Sequence, residues 1–309
     1  MAKKPVAQNQ RVDEPTGTAF VGHEWDGIEE LNTPLPRWWL WTFYLTIIWA
    51  LVYVVLYPAW PLVNSATQGV LGWSSRGQLS SEMKAADAQR APLVNALAAM
   101  PIEQLVADQK LYQGAVAGGA AAFKVHCVQC HGSGATGSKG YPNLNDDDWL
   151  WGGDIAAIHY TLTHGIRNPD HPETRLSAMP AFNGILSSAE ISSVVGHVQS
   201  LSGKAKPDGK GAELFATNCA SCHGTDGKGL REFGAPNLAD NIWLFGGDRG
   251  TITQTILYSR QGVMPRWNDK LSPATIKMLA AYVYSLGGGE AAPANVKATT
   301  DAKAVNGQP

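Results

Sequence analysis

The sequence predicts a mainly α-helical protein in which one N-terminal transmembrane helix is followed by two tandem copies of a small helical domain. Three observations support this fold class. Residues 38–57 carry no charge and are numerous enough to cross a bilayer. The pentapeptide C-x-x-C-H occurs twice and uses all four cysteines of the 309-residue chain. The residues around the two pentapeptides also recur in the same order, as expected of a tandem duplication.

Residues 1–37 precede the apolar stretch and are predicted to form a cytoplasmic segment. The first ~20 are polar and lack the apolar pattern of a folded element. Further on, Trp25, Ile28 and Leu31 recur at three-residue steps, which predicts a short helical turn with one apolar face. The two prolines that follow require an extended run before the membrane helix begins.

Residues 38–60 are predicted to form the transmembrane anchor. A helix of ~20 residues at ~1.5 Å rise is ~30 Å long, the thickness of a bilayer core. Tryptophans at the start of the segment, with Tyr57 and Trp60 at its end, fit the interfacial belts of membrane proteins. Because the nearby positive charges precede the span, the N-terminus is predicted to be cytoplasmic and the following domains to lie outside. A cleaved signal peptide would be shorter and closer to Met1.

Residues 61–111 are predicted to be a linker followed by a helix. The helix is expected from Glu82 to Met100, because Leu93, Leu97 and Met100 fall on one apolar face. Pro101 then ends it. Nothing in this stretch suggests chemistry.

The two pentapeptides, residues 127–131 and 219–223, carry the attachment signature of a c-type haem. Two thiols with two residues between them can reach the two vinyl groups of one porphyrin, and the adjacent histidine then lies beneath the iron. The sequence therefore predicts two covalently bound haem c groups. The predicted thioether attachments are Cys127, Cys130, Cys219 and Cys222, and the predicted proximal iron ligands are His131 and His223.

Other uses of paired cysteines fit less well. Zinc sites with two C-x-x-C pairs usually hold them roughly 15–20 residues apart, whereas Cys127 and Cys219 are 92 residues apart. A redox-active pair needs no following histidine, and disulfides would not explain a histidine after both pairs. The net charge of −2 lacks the basic excess that a nucleic-acid partner requires, so no nucleic acid is expected.

The repeat predicts two domains, at residues 112–204 and 205–288, followed by a disordered tail at 289–309. Each domain is expected to end in a capped helix, and the caps are Ser187 and Ser272. Asp154 and Asp248 are expected to cap the intervening helices. A first and a last helix that cross beside the haem edge are typical of the class I cytochrome c fold. The recurring landmarks are Gly119 and Gly211, Phe123 and Phe215, Pro142-Asn143-Leu144 and Pro236-Asn237-Leu238, Asp154 and Asp248, and Met179-Pro180 and Met264-Pro265.

The second axial ligand of each iron is predicted to be a loop methionine. Met179 follows His131 by 48 residues and is assigned to the first iron, and Met264 follows His223 by 41 residues and is assigned to the second. Thioether ligation raises the reduction potential of the iron. Whether the methionine and histidine ligands exchange between the domains is left open by the sequence.

The first domain has nine more residues than the second ahead of its methionine. Asp154 and Met179 are 25 residues apart, against 16 for Asp248 and Met264. The insertion contains Arg167 to Arg175. Histidines in it or before it compete with the methionine as ligands, and these are His159, His164 and His171. Three tryptophans can each offer an indole N–H to a haem propionate or simply pack in the core, and these are Trp149, Trp151 and Trp243.

Together these features resemble one family. The block at residues 23–39, with Trp25-Asp26-Gly27-Ile28 and Pro34-x-Pro36-Arg37-Trp38-Trp39, is similar to the N-terminus of the dihaem subunit (CcoP or FixP) of cbb3-type cytochrome c oxidases. A single N-terminal span followed by two monohaem domains matches as well. The haem motifs alone identify only a c-type cytochrome, whereas the N-terminal block selects the family.

The resemblance implies an electron-transfer subunit with no oxygen-reducing centre of its own. In the family, electrons pass from a soluble or membrane cytochrome c to this subunit. They then reach a monohaem cytochrome c subunit and a haem–copper catalytic subunit, which reduces oxygen to water and pumps protons. The resemblance also implies a bacterial inner membrane with the haem domains in the periplasm. Carried over, the iron ligands are His131 with Met179 and His223 with Met264.

Two other kinds of function remain as alternatives. The chain can be the dihaem cytochrome of another membrane dehydrogenase or quinol-oxidising complex, which would not need the block at residues 23–39. A haem-based gas sensor or a peroxidase would need an open iron position, against which Met179 and Met264 argue.

Overall fold

A computed structural model describes residues 11–291 of the chain. These residues are mostly helical, in agreement with the predicted fold class. The chain divides into two compact units, the first ending at Asp87 and the second beginning at Ala88.

The first unit begins with a small antiparallel sheet of three strands, β1 (Val12–Asp13), β2 (Thr18–Trp25) and β3 (Ile28–Leu31). The helical turn predicted around Trp25 is therefore wrong, and residues 11–20 are structured where no folded element was expected. The cause is the Asp26-Gly27 pair, whose positive φ angles of 47° and 83° form the turn between β2 and β3. An Asp-Gly pair is a strong hairpin signal, and here it outweighs the three-residue spacing.

Helix α1 (Arg37–Leu56) is long and apolar enough to cross a membrane. It is shorter than the predicted anchor, because Tyr57 is already extended and Trp60 lies beyond the helix. None of its residues is buried against protein. An apolar helix that exposes its side chains all round suits a lipid environment, where the helical backbone satisfies its own hydrogen bonds. Its most exposed tryptophans are Trp38, Trp41 and Trp49.

Helix α2 (Ser75–Ala99) begins earlier than the predicted Glu82. The Ser74 hydroxyl accepts a hydrogen bond from the Gly77 amide at 3.0 Å, which satisfies one of the free N–H groups at the helix start. A 3₁₀ turn, Ile102–Ala107, follows the end of α2.

The second unit contains the two motif-bearing repeats. The helices of the first repeat are α3 (Gln109–His126), α4 (Val128–His131), α5 (Ile155–His164) and α6 (Ser188–Leu201). Those of the second repeat are α7 (Gly209–Asn218), α8 (Ala220–His223), α9 (Arg249–Tyr258) and α10 (Pro273–Tyr284). The predicted caps are confirmed: Asp154, Ser187, Asp248 and Ser272 each accept a hydrogen bond from the first turn of the helix that follows.

The two repeats exchange their last helices. Helix α10 of the second repeat packs on α3 and α5 of the first, and α6 of the first repeat packs on α7 and α9 of the second. Two glycines allow the close crossings. A Cβ on Gly119 would lie 2.0 Å from the carbonyl oxygen of Met278, and a Cβ on Gly211 would lie 2.1 Å from that of Ser193.

The second unit therefore folds as two lobes of mixed origin. We call α3, α4, α5 and α10 the first lobe, and α6, α7, α8 and α9 the second lobe. The predicted segments at residues 112–204 and 205–288 each contain one repeat, but each segment contributes helices to both lobes. The physical reason is the short connection between α6 and α7, since consecutive helices joined by few residues pack against each other.

Each lobe has its own apolar core. The first buries Phe123 and Cys127 together with Leu279 from α10. The second buries Phe215 together with Ile191 and Val194 from α6. The haem-motif side of each core thus comes from one repeat and the facing helix from the other.

The ordered chain continues past the predicted boundary at residue 288. The Glu290 amide donates to the carbonyl of Gly153 at 2.9 Å, and the Gly153 amide donates back to the Glu290 carboxylate at 2.7 Å. Residues 289–291 are thus held against the first repeat, and the remainder of the predicted disordered tail lies outside the described residues.

Candidate haem-binding sites

The two C-x-x-C-H motifs have the same local backbone. In each, the histidine amide donates to the carbonyl of the first cysteine, at 2.9 Å in the first motif and 3.0 Å in the second. A glycine with positive φ follows each histidine, 77° at Gly132 and 76° at Gly224. This single helical turn places two thiols and an imidazole on one side of the backbone, as attachment of one porphyrin requires.

A proline carbonyl orients each histidine. Nδ1 of His131 lies 3.1 Å from the carbonyl oxygen of Pro142, and Nδ1 of His223 lies 3.2 Å from that of Pro236. Because a carbonyl can only accept, Nδ1 carries the proton and Nε2 is free to bind a metal. Burial lowers the pKa of both histidines, which favours the neutral form that ligates. Each of these prolines begins the Pro-Asn-Leu that recurs in the two repeats, but the sequence alone did not show that its carbonyl contacts the histidine.

In the first motif Cys127 is buried and Cys130 is exposed, whereas both cysteines of the second motif are half-buried. Burial, reinforced by the neighbouring thiol, raises the pKa of Cys127 and of Cys219 to about 11. Both are therefore neutral thiols at physiological pH. All four cysteines lie within the described residues 11–291, and none forms a disulfide there.

The second motif opens into a cavity of about 740 Å³. This volume lies in the upper part of the range for sites that hold large ligands. Its wall includes Cys219, Cys222 and His223, and Met179 of the first repeat lies in the same wall. Apolar side chains from both repeats complete the lining, among them Phe182, Val194, Phe215, Ile252 and Ile256.

Backbone hydrogen bonds fix the Met179 loop against the second repeat. The Phe182 amide donates to the carbonyl of Ile256 at 3.0 Å, and the Ser259 hydroxyl donates to the carbonyl of Met179. Met179 therefore belongs to the second lobe, where it packs on the same core as Cys219.

The Met264 loop is fixed in the same way against the first repeat. The amides of Met264 and Ile166 donate to each other's carbonyls at 3.0 and 2.9 Å, and the Trp267 amide donates to Leu162 at 3.0 Å. Met264 packs on the core that contains Cys127.

Each methionine therefore lies in the lobe that holds the motif of the other repeat, whereas the order of the chain assigns it to the motif of its own repeat. Met179 lies with His223, and Met264 lies with the motif of His131. The reason is the exchange of α6 and α10, because each methionine loop runs directly into the helix that changes lobes.

The polar groups near the motifs fit a haem. Within the described residues, the indole nitrogens of Trp151 and Trp243 are buried and have no hydrogen-bond acceptor. Trp243 lines the cavity. A haem propionate would supply the missing acceptor, which is one of the two uses predicted for these tryptophans. Trp149 packs in the core instead, and its indole N–H already donates to the Gly288 carbonyl at 2.6 Å.

Charged side chains on the cavity wall fit as well. The guanidinium of Arg260 lies in the wall and bonds the Thr251 carbonyl at 2.7 Å, so that it is held in place to face an anionic group. Burial and the neighbouring Asp240 raise the pKa of Asp148 to about 6. This carboxyl therefore gains its proton at a higher pH than an ordinary aspartate, and the wall loses part of its negative charge as the pH falls to about 6.

The competing histidines lie outside the cavity of the second motif. His159 is on α5, where burial and the nearby Lys277 lower its pKa to about 4. His164 and His171 lie against each other, with Nδ1 of the former 2.8 Å from Nε2 of the latter. None of these three histidines lines the cavity.

His164, His171 and Glu173 lie close enough together to suggest a metal site. The contacts favour a chain of hydrogen bonds instead. A guanidinium nitrogen of Arg266 lies 3.0 Å from Nδ1 of His171, and arginine can only donate. The proton of neutral His171 is therefore on Nε2, from which it is donated to His164.

These observations define the class of protein. Two C-x-x-C-H turns, each set in a helical lobe with an oriented histidine and with a methionine packed on the core of that lobe, are the features of a c-type cytochrome.

Comparisons with known proteins identify the family. A model of the N-terminal domain of cytochrome oxidase-cbb3, FixP, matches residues 17–64. A model of cytochrome c oxidase, cbb3-type, subunit III, matches residues 114–198 and 207–283. The chain belongs to the subunit III family of cbb3-type cytochrome c oxidases.

Curated relatives agree over nearly their full length. The chain is 53% identical over 295 residues to the cbb3-type cytochrome c oxidase subunit CcoP of Cereibacter sphaeroides, covering 94% of this chain and 100% of the relative. It is 55% identical over 294 residues to the subunit FixP of Azorhizobium caulinodans, with the same two shares. It is 50% identical over 287 residues to FixP of Rhizobium meliloti, covering 92% and 99%.

Proposed function

We propose that this chain is the dihaem electron-transfer subunit of a cbb3-type terminal oxidase and carries two covalent haem c groups. The observation that carries the proposal is the repeated site. Each lobe brings one C-x-x-C-H motif and one methionine into a single apolar core. Family membership supports the assignment to the oxidase rather than to another dehydrogenase or quinol-oxidising complex.

The ligands follow from the lobes. In the first lobe, Cys127 and Cys130 would hold the haem, and His131 and Met264 would bind its iron. In the second lobe, Cys219 and Cys222 would hold the haem, and His223 and Met179 would bind its iron.

The residues around each haem serve electron transfer without catalysis. A bound haem supplies an iron that changes its charge by one electron. The proline carbonyls hold the histidines in the ligating tautomer, and the methionines would occupy the iron position that oxygen would otherwise need. The apolar walls exclude water and the thioether sulfurs favour reduced iron, which together raise the potential.

Helix α1 is proposed to anchor the chain in a bacterial inner membrane. The basic residues before it support an orientation with the N-terminus in the cytoplasm and both lobes in the periplasm. There the lobes receive electrons from a soluble or membrane cytochrome c. They pass them to the monohaem subunit and then to the haem–copper subunit, which reduces oxygen to water and pumps protons.

A pyridine haemochrome spectrum tests the proposal on the full chain, purified from membranes in mild detergent with its partners. We expect two c-type haems per chain, together with further c-type haem, b-type haem and copper from the partner subunits. Two c-type haems without b-type haem or oxygen uptake, after crosslinking to retain partners, would favour a separate dihaem carrier. Fewer than two covalent haems per chain would contradict both interpretations.

A further inference from the structure

The nine extra residues of the first repeat form a closed loop. Arg175 and Arg260 occupy equivalent places, because each bonds a hydroxyl of its own repeat's middle helix, that of Thr161 or Thr255, at 3.1 Å. Residues 166–174 therefore lie between Gly165 and Arg175 and have no counterpart in the second repeat. The ends of this loop meet, since the Arg175 amide donates to Gly165 at 3.3 Å and the Arg167 amide donates to Arg175 at 2.8 Å.

The loop places one arginine between the two methionine loops. Nε of Arg167 donates to the carbonyl of Gly262 at 2.7 Å, and Nη1 donates to the carbonyl of Ser177 at 3.0 Å. Gly262 stands two residues before Met264, and Ser177 stands two residues before Met179. One rigid guanidinium thus joins equivalent points of both loops.

The position of Arg167 indicates a specific role rather than a solvated surface charge. Its side chain is half-buried and lines the cavity of the second motif. Its backbone adopts a φ of 52°, which is uncommon for a residue with a side chain. Bonds from a charged donor to carbonyl oxygens are stronger than neutral ones, and the fork of arginine fixes their directions.

Other contacts of the insertion reach only one methionine loop. His171 bonds Arg266, two residues after Met264, and Ile166 pairs with the backbone of Met264 itself. Arg167 therefore bonds both methionine loops, whereas His171 contacts only the loop of Met264. Substitutions of these two residues can be compared in one experiment.

We propose that Arg167 is a positioning residue that holds both methionine loops in their ligating positions. The proposal rests on the ligand assignment made under Proposed function. Removing the fork frees both loops at once, and each methionine then leaves its iron more often.

The test uses an exogenous ligand that competes with methionine. Imidazole binds ferric haem only when the methionine is away, so its apparent affinity is proportional to the fraction of open sites. The full chain is purified from membranes with both haems attached and is titrated with imidazole. The titration is followed by absorption, as the loss of the weak far-red band that methionine-ligated ferric haem shows. A wild-type chain without this band would contradict the ligand assignment itself, and that outcome is distinct from failure of the present proposal.

Replacing Arg167 by glutamine is expected to raise the imidazole affinity at both haems by about tenfold, the factor typical of one hydrogen bond from a charged group. His171→Asn is expected to raise it at one haem alone. Arg249→Gln is the matched control, because Arg249 also bonds a backbone carbonyl across two segments, that of Ser192 at 2.9 Å, but contacts neither methionine loop. It is expected to change neither affinity.

Arg167→Lys separates positioning from charge. Lysine keeps the charge and loses the fork, so an intermediate rise at both haems supports the proposal, whereas wild-type affinities overturn it in favour of a purely electrostatic effect. A rise at one haem or at neither in Arg167→Gln also overturns it. If Arg167→Gln fails to incorporate two covalent haems, the lysine variant decides by the same criteria.

Discussion

At the scale of single residues, the sequence is most informative where chemistry requires a fixed spacing. The C-x-x-C-H turns, the Asp154 and Asp248 caps and the Ser187 capping box all depend on neighbours within four residues, and all have the predicted local form. The carbonyls that orient the histidines come from residues farther along the chain. Pro142 lies eleven residues from His131, and Pro236 thirteen from His223. Only the folded loop brings these carbonyls to the imidazoles.

The axial pairing can be tested residue by residue. Cys219→Ala with Cys222→Ala leaves a chain with the first haem alone. In that background, Met264→His is expected to abolish the far-red methionine band and to lower the haem potential by on the order of 0.1 V, because imidazole favours ferric iron more than thioether does. Met179→His is the control and is expected to leave both unchanged, as measured by redox titration. The reverse result would restore the pairing by chain order.

At the scale of helices, amphipathic pattern predicts which face of a helix is buried but not what buries it. Helix α10 has the apolar face expected of a closing helix, and its repeat offers α7 as the obvious partner. The structure packs it on α3 instead. Since α3 and α7 both present a glycine at the crossing, Gly119 or Gly211, the two alternatives look equivalent in the sequence.

A pair of core substitutions distinguishes the two arrangements. Leu279 of α10 is fully buried, and Ile191 of α6 is 3% exposed. Truncating either to alanine is expected to destabilise its lobe by about 2–5 kcal/mol. Leu279→Ala should therefore speed amide hydrogen exchange in α3 and leave α7 protected, and Ile191→Ala should do the opposite. Faster exchange in α7 of the Leu279 variant would support unexchanged domains.

At the scale of the whole unit with the two motifs, the exchange makes the two repeats mutually dependent. Each lobe holds helices from both repeats, so neither repeat can complete a core alone. The loops at Met179 and Met264 cross between the lobes and bind the opposite middle helices through backbone hydrogen bonds. The two proposed haem sites are thus connected both by the continuous chain and by the hydrogen bonds of the methionine loops.

Cutting the chain between the repeats reports on this dependence. A protease site inserted at Gly203, an exposed glycine in the loop between α6 and α7, allows cleavage after folding. We expect the two fragments to stay together in gel filtration without denaturant, with both methionine bands retained, because the exchanged helices still cross. Two separately folded tandem domains would come apart under the same conditions, and separation would contradict the exchange.

The sequence by itself determined the helical class, the uncharged segment suited to a membrane, the two haem motifs, the helix caps and the candidate methionines. Each of these depends on residues close together in the chain, where spacing and hydropathy are sufficient. The hairpin at Asp26-Gly27 is also local, but its turn signal overlaps the three-residue spacing that is typical of a helix. Tertiary structure alone decided which methionine loop lies in which lobe and which helix closes each lobe. Two equivalent repeats offer two nearly equivalent ways to bury the same apolar faces, and the choice between them depends on the connection between α6 and α7 and on the loops that cross from one lobe to the other.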